Sequence, residues 1–158
     1  MEEQIPKIIS ESKALSRMAN LCARREYCVH DIETKLQRYN LENDTIKSII
    51  AKLKKEKYID ELRFTRSFIR DKIRFNKWGK VKIEYALRQK RIPESIVNEA
   101  FMDFTDSDLN DSLQELLQAK WKTIKANSDY EKQTKLIRFG LSRGFDMGVI
   151  LQCIKKLK

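Results

Sequence analysis

Residues 58–79 read YIDELRFTRSFIRDKIRFNKWG, and a helical wheel at about 100° per residue sorts this stretch into three stripes. With Arg63 set at the origin, Arg66 falls at about 300°, Arg70 at about 340°, Arg74 at about 20° and Lys77 at about 320°. Five cations therefore share about 80° of one face over about 21 Å. Phe64, Phe68 and Phe75 fall at about 100–140°, and Leu62, Ile69 and Ile73 at about 240–280°. A helix over about 60–76 with two apolar stripes is a middle element packed between neighbours, with a basic ridge left between the stripes. Trp78-Gly79 breaks that helix, and Trp78 reads as a core residue ahead of a base-stacking platform. Lys72 adds charge within the stretch, and Lys80 and Lys82 extend the positive region into the next helix.

The pattern around this helix recurs. A helix, a short break at an apolar anchor and a second periodic helix are spelled by Ile32, Leu36, then Leu41, Ile46, Ile50 and Leu53. Ile83, Leu87, then Ile92, Ile96 and Ala100 repeat it, as do Leu136, Phe139, then Phe145, Ile150, Ile154 and Leu157. The anchors at 41, 92 and 145 stand about fifty residues apart, the length of a three-helix unit. A further helix precedes each pair, over about 11–26, 60–76 and 107–125; in the first, Leu15, Met18 and Cys22 form a buried stripe. Starts are marked by Asn43/Asp44, by Pro93 near a first helical position, by Asp146, and by Ser128 with Glu131 as a capping box. One such unit buries little apolar surface alone, so neighbours must stack. The expected fold is all-α: three tandem three-helix repeats (11–57, 58–105 and 106–158, after an N-terminal tail over 1–10) in an elongated, curved array.

Composition agrees. Four Gly and two Pro among 158 residues are too few turn formers for hairpin-rich β architecture or Pro/Gly-rich disorder. No apolar run approaches the roughly 18 residues of a membrane span. Glu2, Glu3, Gln4 and Pro6 leave no apolar core for a signal peptide. Three Cys, an odd number without secretory context, suggest reduced thiols and a cytoplasmic protein.

The net charge of +10 is blocked. Residues 60–91 hold 11 basic and 4 acidic side chains, a balance of +7; residues 92–118 hold seven acidic and no basic ones. Residues 119–158 hold 10 basic and 3 acidic, again +7. Opposed blocks steer association, and their alternation suits a partner with both signs better than bare nucleic acid. Candidate binding residues are Arg63, Arg66, Arg70, Lys72, Arg74, Lys77, Lys80 and Lys82, because arginine forks at helical spacing can bridge successive phosphates or carboxylates and the lysines extend the positive region. The competing use of each Arg is an ion pair with an adjacent helix, Arg63 first among them.

Catalytic and cofactor chemistry finds no support. His30 with Cys28 and Cys22 does not supply four metal ligands at recognisable spacing. Gly79, Gly140, Gly144 and Gly148 form no phosphate-cradling loop, and no nucleophile–base signature is present. The expectation is a protein without enzymatic activity, cofactor or metal.

The chain resembles the RecX regulatory proteins, modulators of the RecA recombinase, over about residues 14–158. The most specific part runs from Tyr58 through Ile59, Asp60, Glu61, Leu62, Arg63 and Phe64 to Phe68-Ile69-Arg70 and Gly79. Leu21, Ala23 to Tyr27, Ile32 and Lys35-Leu36 are similar to the family's opening helix pair. Arg138-Phe139, Ser142 to Phe145 and Val149-Ile150 are similar to its last. Two departures are Cys28, where a capping Ser is usual, and Gly140, where a larger apolar residue is usual; they imply a weaker cap and a thinner third core. The resemblance implies a regulator that binds in the groove of RecA filaments on single-stranded DNA and bridges protomers. It would suppress ATP hydrolysis and strand exchange, modulating homologous recombination, DNA repair and the SOS response. Partners would be RecA and single-stranded DNA, contacted directly or through RecA, with no membrane and a monomeric protein. The alternative is a nonspecific nucleic-acid-binding protein acting without RecA.

Overall fold

The computed structural model of the protein describes residues 9–157, so the expected tail lies, over 1–8, outside the described residues. Among them are nine α-helices and no strand: α1 (Glu11–Arg24), α2 (Val29–Leu36), α3 (Asn43–Lys55), α4 (Glu61–Asp71), α5 (Lys80–Gln89), α6 (Glu94–Phe101), α7 (Asp106–Thr123), α8 (Asp129–Ser142) and α9 (Met147–Leu157). They form the helical repeat array expected of the sequence. No helix among the described residues is long and apolar enough to cross a membrane.

Three hydrophobic cores follow one another along the chain. Met18, Ile32, Leu36, Ile49 and Leu53 fill the first, from α1, α2 and α3. Phe64, Ile69, Ile83, Leu87 and Ala100 fill the second, from α4, α5 and α6. Leu113, Leu117, Leu136, Phe145 and Ile150 fill the third, from α7, α8 and α9. The accessible surface of 10924 Å² exceeds the about 8,300 Å² of a compact monomer of this mass, as small cores in a row require.

The anchors owe their spacing to one device. Asn40 (φ 53°), Arg91 (φ 57°) and Gly144 (φ 91°) are left-handed, and each immediately precedes an anchor: Leu41, Ile92 or Phe145. In two cases the full helix-ending motif is present. Ile92 N–H donates to the Leu87 carbonyl (3.2 Å) and Arg91 N–H to Arg88 (3.0 Å); Phe145 N–H donates to Gly140 (3.1 Å) and Gly144 N–H to Leu141 (2.9 Å). The reversal satisfies the last carbonyls of one helix while turning an apolar side chain into the core before the next begins.

Four helix starts are capped by short polar side chains. Ser10 accepts from Lys13 N–H (3.2 Å) and Asp60 from Arg63 N–H (3.0 Å), while Thr105 and Asp108 form a reciprocal box at 3.0 and 2.8 Å. Ser128 accepts from Glu131 N–H (3.1 Å), but Glu131 returns its carboxylate to Asn127 N–H (3.1 Å), one residue before the expected box partner. Pro93 is the residue before α6, next to the first helical position as expected.

Four expectations need revision. The helix expected over 60–76 runs as α only to Asp71; Lys72–Asn76 wind as a wider π turn, closed by left-handed Lys77 with Trp78 N–H donating to Lys72 (3.1 Å). An angle of 100° per residue therefore does not carry past Asp71, and Ile73 and Trp78 both reach the second core. The first helix ends at Arg24, short of 26, because Arg25 is extended. Cys28 is more than a weakened cap: it is fully buried in the second core, and Asp31 accepts from its N–H at 3.3 Å. Gly140 leaves no void, since a methyl there would meet Ile150 at 2.8 Å; the isoleucine already fills the space.

Candidate interaction surface

The basic residues of α4 and the segment after it divide by what they touch. Arg63 is spent on structure. Its Nε donates to Glu26 Oε1 (2.7 Å) and its guanidinium also donates to the carbonyls of Lys57 (3.0 Å) and Tyr58 (3.3 Å), tying α4 to the first core's helices. Arg66 pairs with Asp103, just beyond α6. Lys72 and Lys82 both lie 4.7 Å from the centre of the Trp78 ring, and Lys72 also lies 5.2 Å from Phe68. Lys80 sits 5.1 Å from Phe101 and 3.8 Å from Glu84.

Arg70, Arg74 and Lys77 are exposed and carry no ion pair among the described residues. Arg70 and Arg74 line a recess of about 300 Å³ with Ile73, Phe104, Asp103 and Asp108. The acidic block thus lies directly beside the basic ridge, so this face shows both signs within one recess. Charges so placed on a partly apolar floor suit a protein surface of mixed sign better than a uniformly negative one.

A second arrangement draws on residues that inspection of α4 alone could not reach. Trp78 and Lys82 open onto a groove between α2 and α5 of about 790 Å³, to which Arg25, Tyr27, His30, Lys35 and Arg38 contribute from the first three-helix segment. Tyr85, Gln89 and Lys90 complete the α5 side, and Asp31 lies in the wall. The signals for this groove were in the sequence, as Arg25, Lys35 and Arg38 interleaved with Tyr27; only the packing of α2 beside α5 joins them to Trp78.

The joint that positions α2 against α4 and α5 is polar. Glu61 Oε1 accepts from Val29 N–H at the start of α2 (2.8 Å), where a carboxylate also meets the helix dipole. Lys90 Nζ donates to Asp31 Oδ1 (2.8 Å). Burial pushes Glu61 above its ordinary carboxyl value, against the Val29 bond. Burial pushes Asp31 upward too, but bonds from Lys90 and Cys28 outweigh it and hold the carboxyl below its usual value. The Cys28 thiol is pushed up to about 12, chiefly by burial.

On the other side, α5 is fixed to the turn between α8 and α9 by backbone. Gly79 N–H donates to the Arg143 carbonyl (2.7 Å) and Val81 N–H to Gly144 (3.0 Å). A Cβ on Gly79 would collide with the backbone of Gly144 and Phe145, and one on Gly144 with Lys82. Both glycines are required by this approach.

Sequence models of two RecX domains match the chain: the second three-helix domain over residues 60–100 and the third over residues 106–154. Regulatory protein RecX of Prosthecochloris aestuarii is 32% identical over 92% of this chain and 93% of its own length. That of Chlorobaculum tepidum is 30% identical over 92% and 88%. The crystal structure of RecX from Lactobacillus salivarius superposes with a TM-score of 0.82 at 24% identity, covering 93% of this chain and 96% of that one; at this identity it speaks for the fold.

Proposed function

The chain belongs to the RecX family of regulatory proteins, and from that premise we propose that it regulates the RecA recombinase without being an enzyme. In this reading it binds RecA filaments on single-stranded DNA, slows their ATP hydrolysis and strand exchange, and so modulates recombination and repair. It does so in the cytoplasm as a monomer and without a cofactor. Residues 11–57, 58–105 and 106–158 act as three repeats, and an array of small units suits an extended contact across neighbouring protomers.

The observation that carries this reading beyond family membership is the mixed-sign recess, where Arg70 and Arg74 stand free beside Asp103 and Asp108. A repeating protein surface offers charges of both signs; a bare phosphate backbone does not. Because Arg63 and Arg66 already hold partners within the chain, Arg70 and Arg74 are the residues to reverse.

ATP hydrolysis by RecA on single-stranded DNA tests this, with the protein titrated from well below one copy per protomer. Wild type should inhibit at low ratio. Arg70→Glu with Arg74→Glu should lose that inhibition while keeping wild-type helicity by circular dichroism. Equal inhibition by the double variant would remove the recess from the interaction, and no inhibition by wild type at excess would remove the function.

A further inference from the structure

We infer that the groove between α2 and α5 is a binding site for single-stranded nucleic acid, with phosphates on its cations and a base stacked on Tyr85. This deepens the reading above by adding direct contact with the strand, at a surface separate from the Arg70–Arg74 recess.

Charge is the first argument. Arg25, Lys35, Arg38, Lys82 and Lys90 face the groove, and the one carboxylate among its lining residues, Asp31, is already engaged by Lys90 at 2.8 Å. Four cations are left without a carboxylate partner, whereas the recess on α4 sets Asp108, and Asp103 engaged by Arg66, beside Arg70 and Arg74. Uniform positive charge in a concave site recruits a polyanion.

The aromatic residues specify which polyanion. Trp78 and Tyr27 are half-buried with cations against their rings: Lys72 and Lys82 at Trp78, and Arg25 (4.8 Å) and Lys35 (5.4 Å) at Tyr27. Tyr85 is different. It is 61% exposed on α5, belongs to none of the three cores, and presents its ring within this cationic frame. An exposed ring beside phosphate-binding charges is the arrangement on which unpaired bases stack. In a duplex those faces are occupied by neighbouring base pairs, so a single strand is the form that can use it. The groove runs along helices of 8 and 10 residues, about 12–15 Å, room for a short run of unpaired nucleotides.

Fluorescence anisotropy of the full chain with a labelled fifteen-nucleotide oligothymidylate, without RecA, tests the site. The wild type should bind the single strand in preference to the matching duplex. The slope of log affinity against log salt should be near −3, from about 0.7 per neutralised phosphate over four cations. Tyr85→Ala should weaken binding about tenfold or more with helicity intact. Arg38→Gln should weaken it and reduce the slope by about 0.7. In a Trp121→Phe background, bound oligonucleotide should quench Trp78. Wild-type affinity and slope in both variants, Trp78 emission indifferent to saturating oligonucleotide, or equal affinity for the duplex would each overturn the assignment. These readouts contain no recombinase: loss of filament inhibition with oligonucleotide binding intact counts against the proposed function alone, and the converse against this groove alone.

Discussion

Gly79→Ala sets two effects of opposite sign against each other. Gly79 has φ −83° and ψ 169°, a conformation alanine adopts freely. On backbone entropy alone the substitution should stabilise the protein by about 0.4–1 kcal/mol. Against this, the new methyl would clash with the Gly144 carbonyl group and the Phe145 nitrogen. These are backbone atoms that cannot rotate aside, so the end of α5 must withdraw from the α8–α9 turn. Withdrawal breaks the bonds from Gly79 to Arg143 and from Val81 to Gly144. At about 0.5–1.5 kcal/mol each, they amount to about 1–3 kcal/mol, and the loss wins by about 1–2 kcal/mol. The melting temperature should fall by about 3–6 °C for a chain of this length, and the amides of residues 79 and 81 should exchange faster. Gly148→Ala is the control: its Cβ would meet only Asp146 Oδ2 at 3.8 Å, so it should gain up to about 1 kcal/mol from helix propensity. A Gly79→Ala protein as stable as wild type, with unchanged exchange at those amides, would refute the close approach.

The polar joint makes an acid prediction. A carboxyl held below its usual value contributes stability that is present above about pH 4 and lost as pH falls through the lowered value. Asp31→Asn should therefore flatten the decline in melting temperature below that pH, and Lys90→Met should cost about 1–2 kcal/mol at neutral pH in urea titration. Glu61 is displaced the opposite way, so its ionised form is disfavoured by folding and stability drains as pH rises through the carboxyl range. Glu61→Gln keeps an acceptor for Val29 and should match or exceed wild-type stability at pH 7. With Cys28 near 12, about one molecule in ten thousand carries the thiolate at pH 8, so mass spectrometry after a maleimide pulse should find half-exposed Cys22 modified long before Cys28.

The three-core array was legible because apolar spacing records burial directly: Ile83, Leu87, Ile92 and Ala100 are core residues and also the residues that set the period. The spacing of about fifty residues also betrayed the anchors; of their left-handed predecessors, Asn40 and Gly144 are residue types that favour that conformation, whereas Arg91 is not. The interaction surface was less legible. A wheel assumes constant winding, and the π turn at Lys72–Asn76 follows from where Ile73 and Trp78 must pack, a tertiary demand. Whether a surface arginine is free depends on carboxylates far along the chain: Arg63 meets Glu26 and Arg66 meets Asp103, each 37 residues away. The α2–α5 groove is assembled from segments about fifty residues apart, so neither half looks like a site by itself.

The two joints of the array are built from different materials. Toward α8 and α9, α5 is bonded through peptide groups that neither titrate nor respond much to ions. Toward α2, the hydrogen bonds run through Glu61, Asp31, Lys90, Arg63 and Glu26, all of which feel ionic strength. The first three-helix segment is therefore the one whose hold on α5 varies with pH and ionic strength, and the groove whose two walls that joint holds together is the one between α2 and α5.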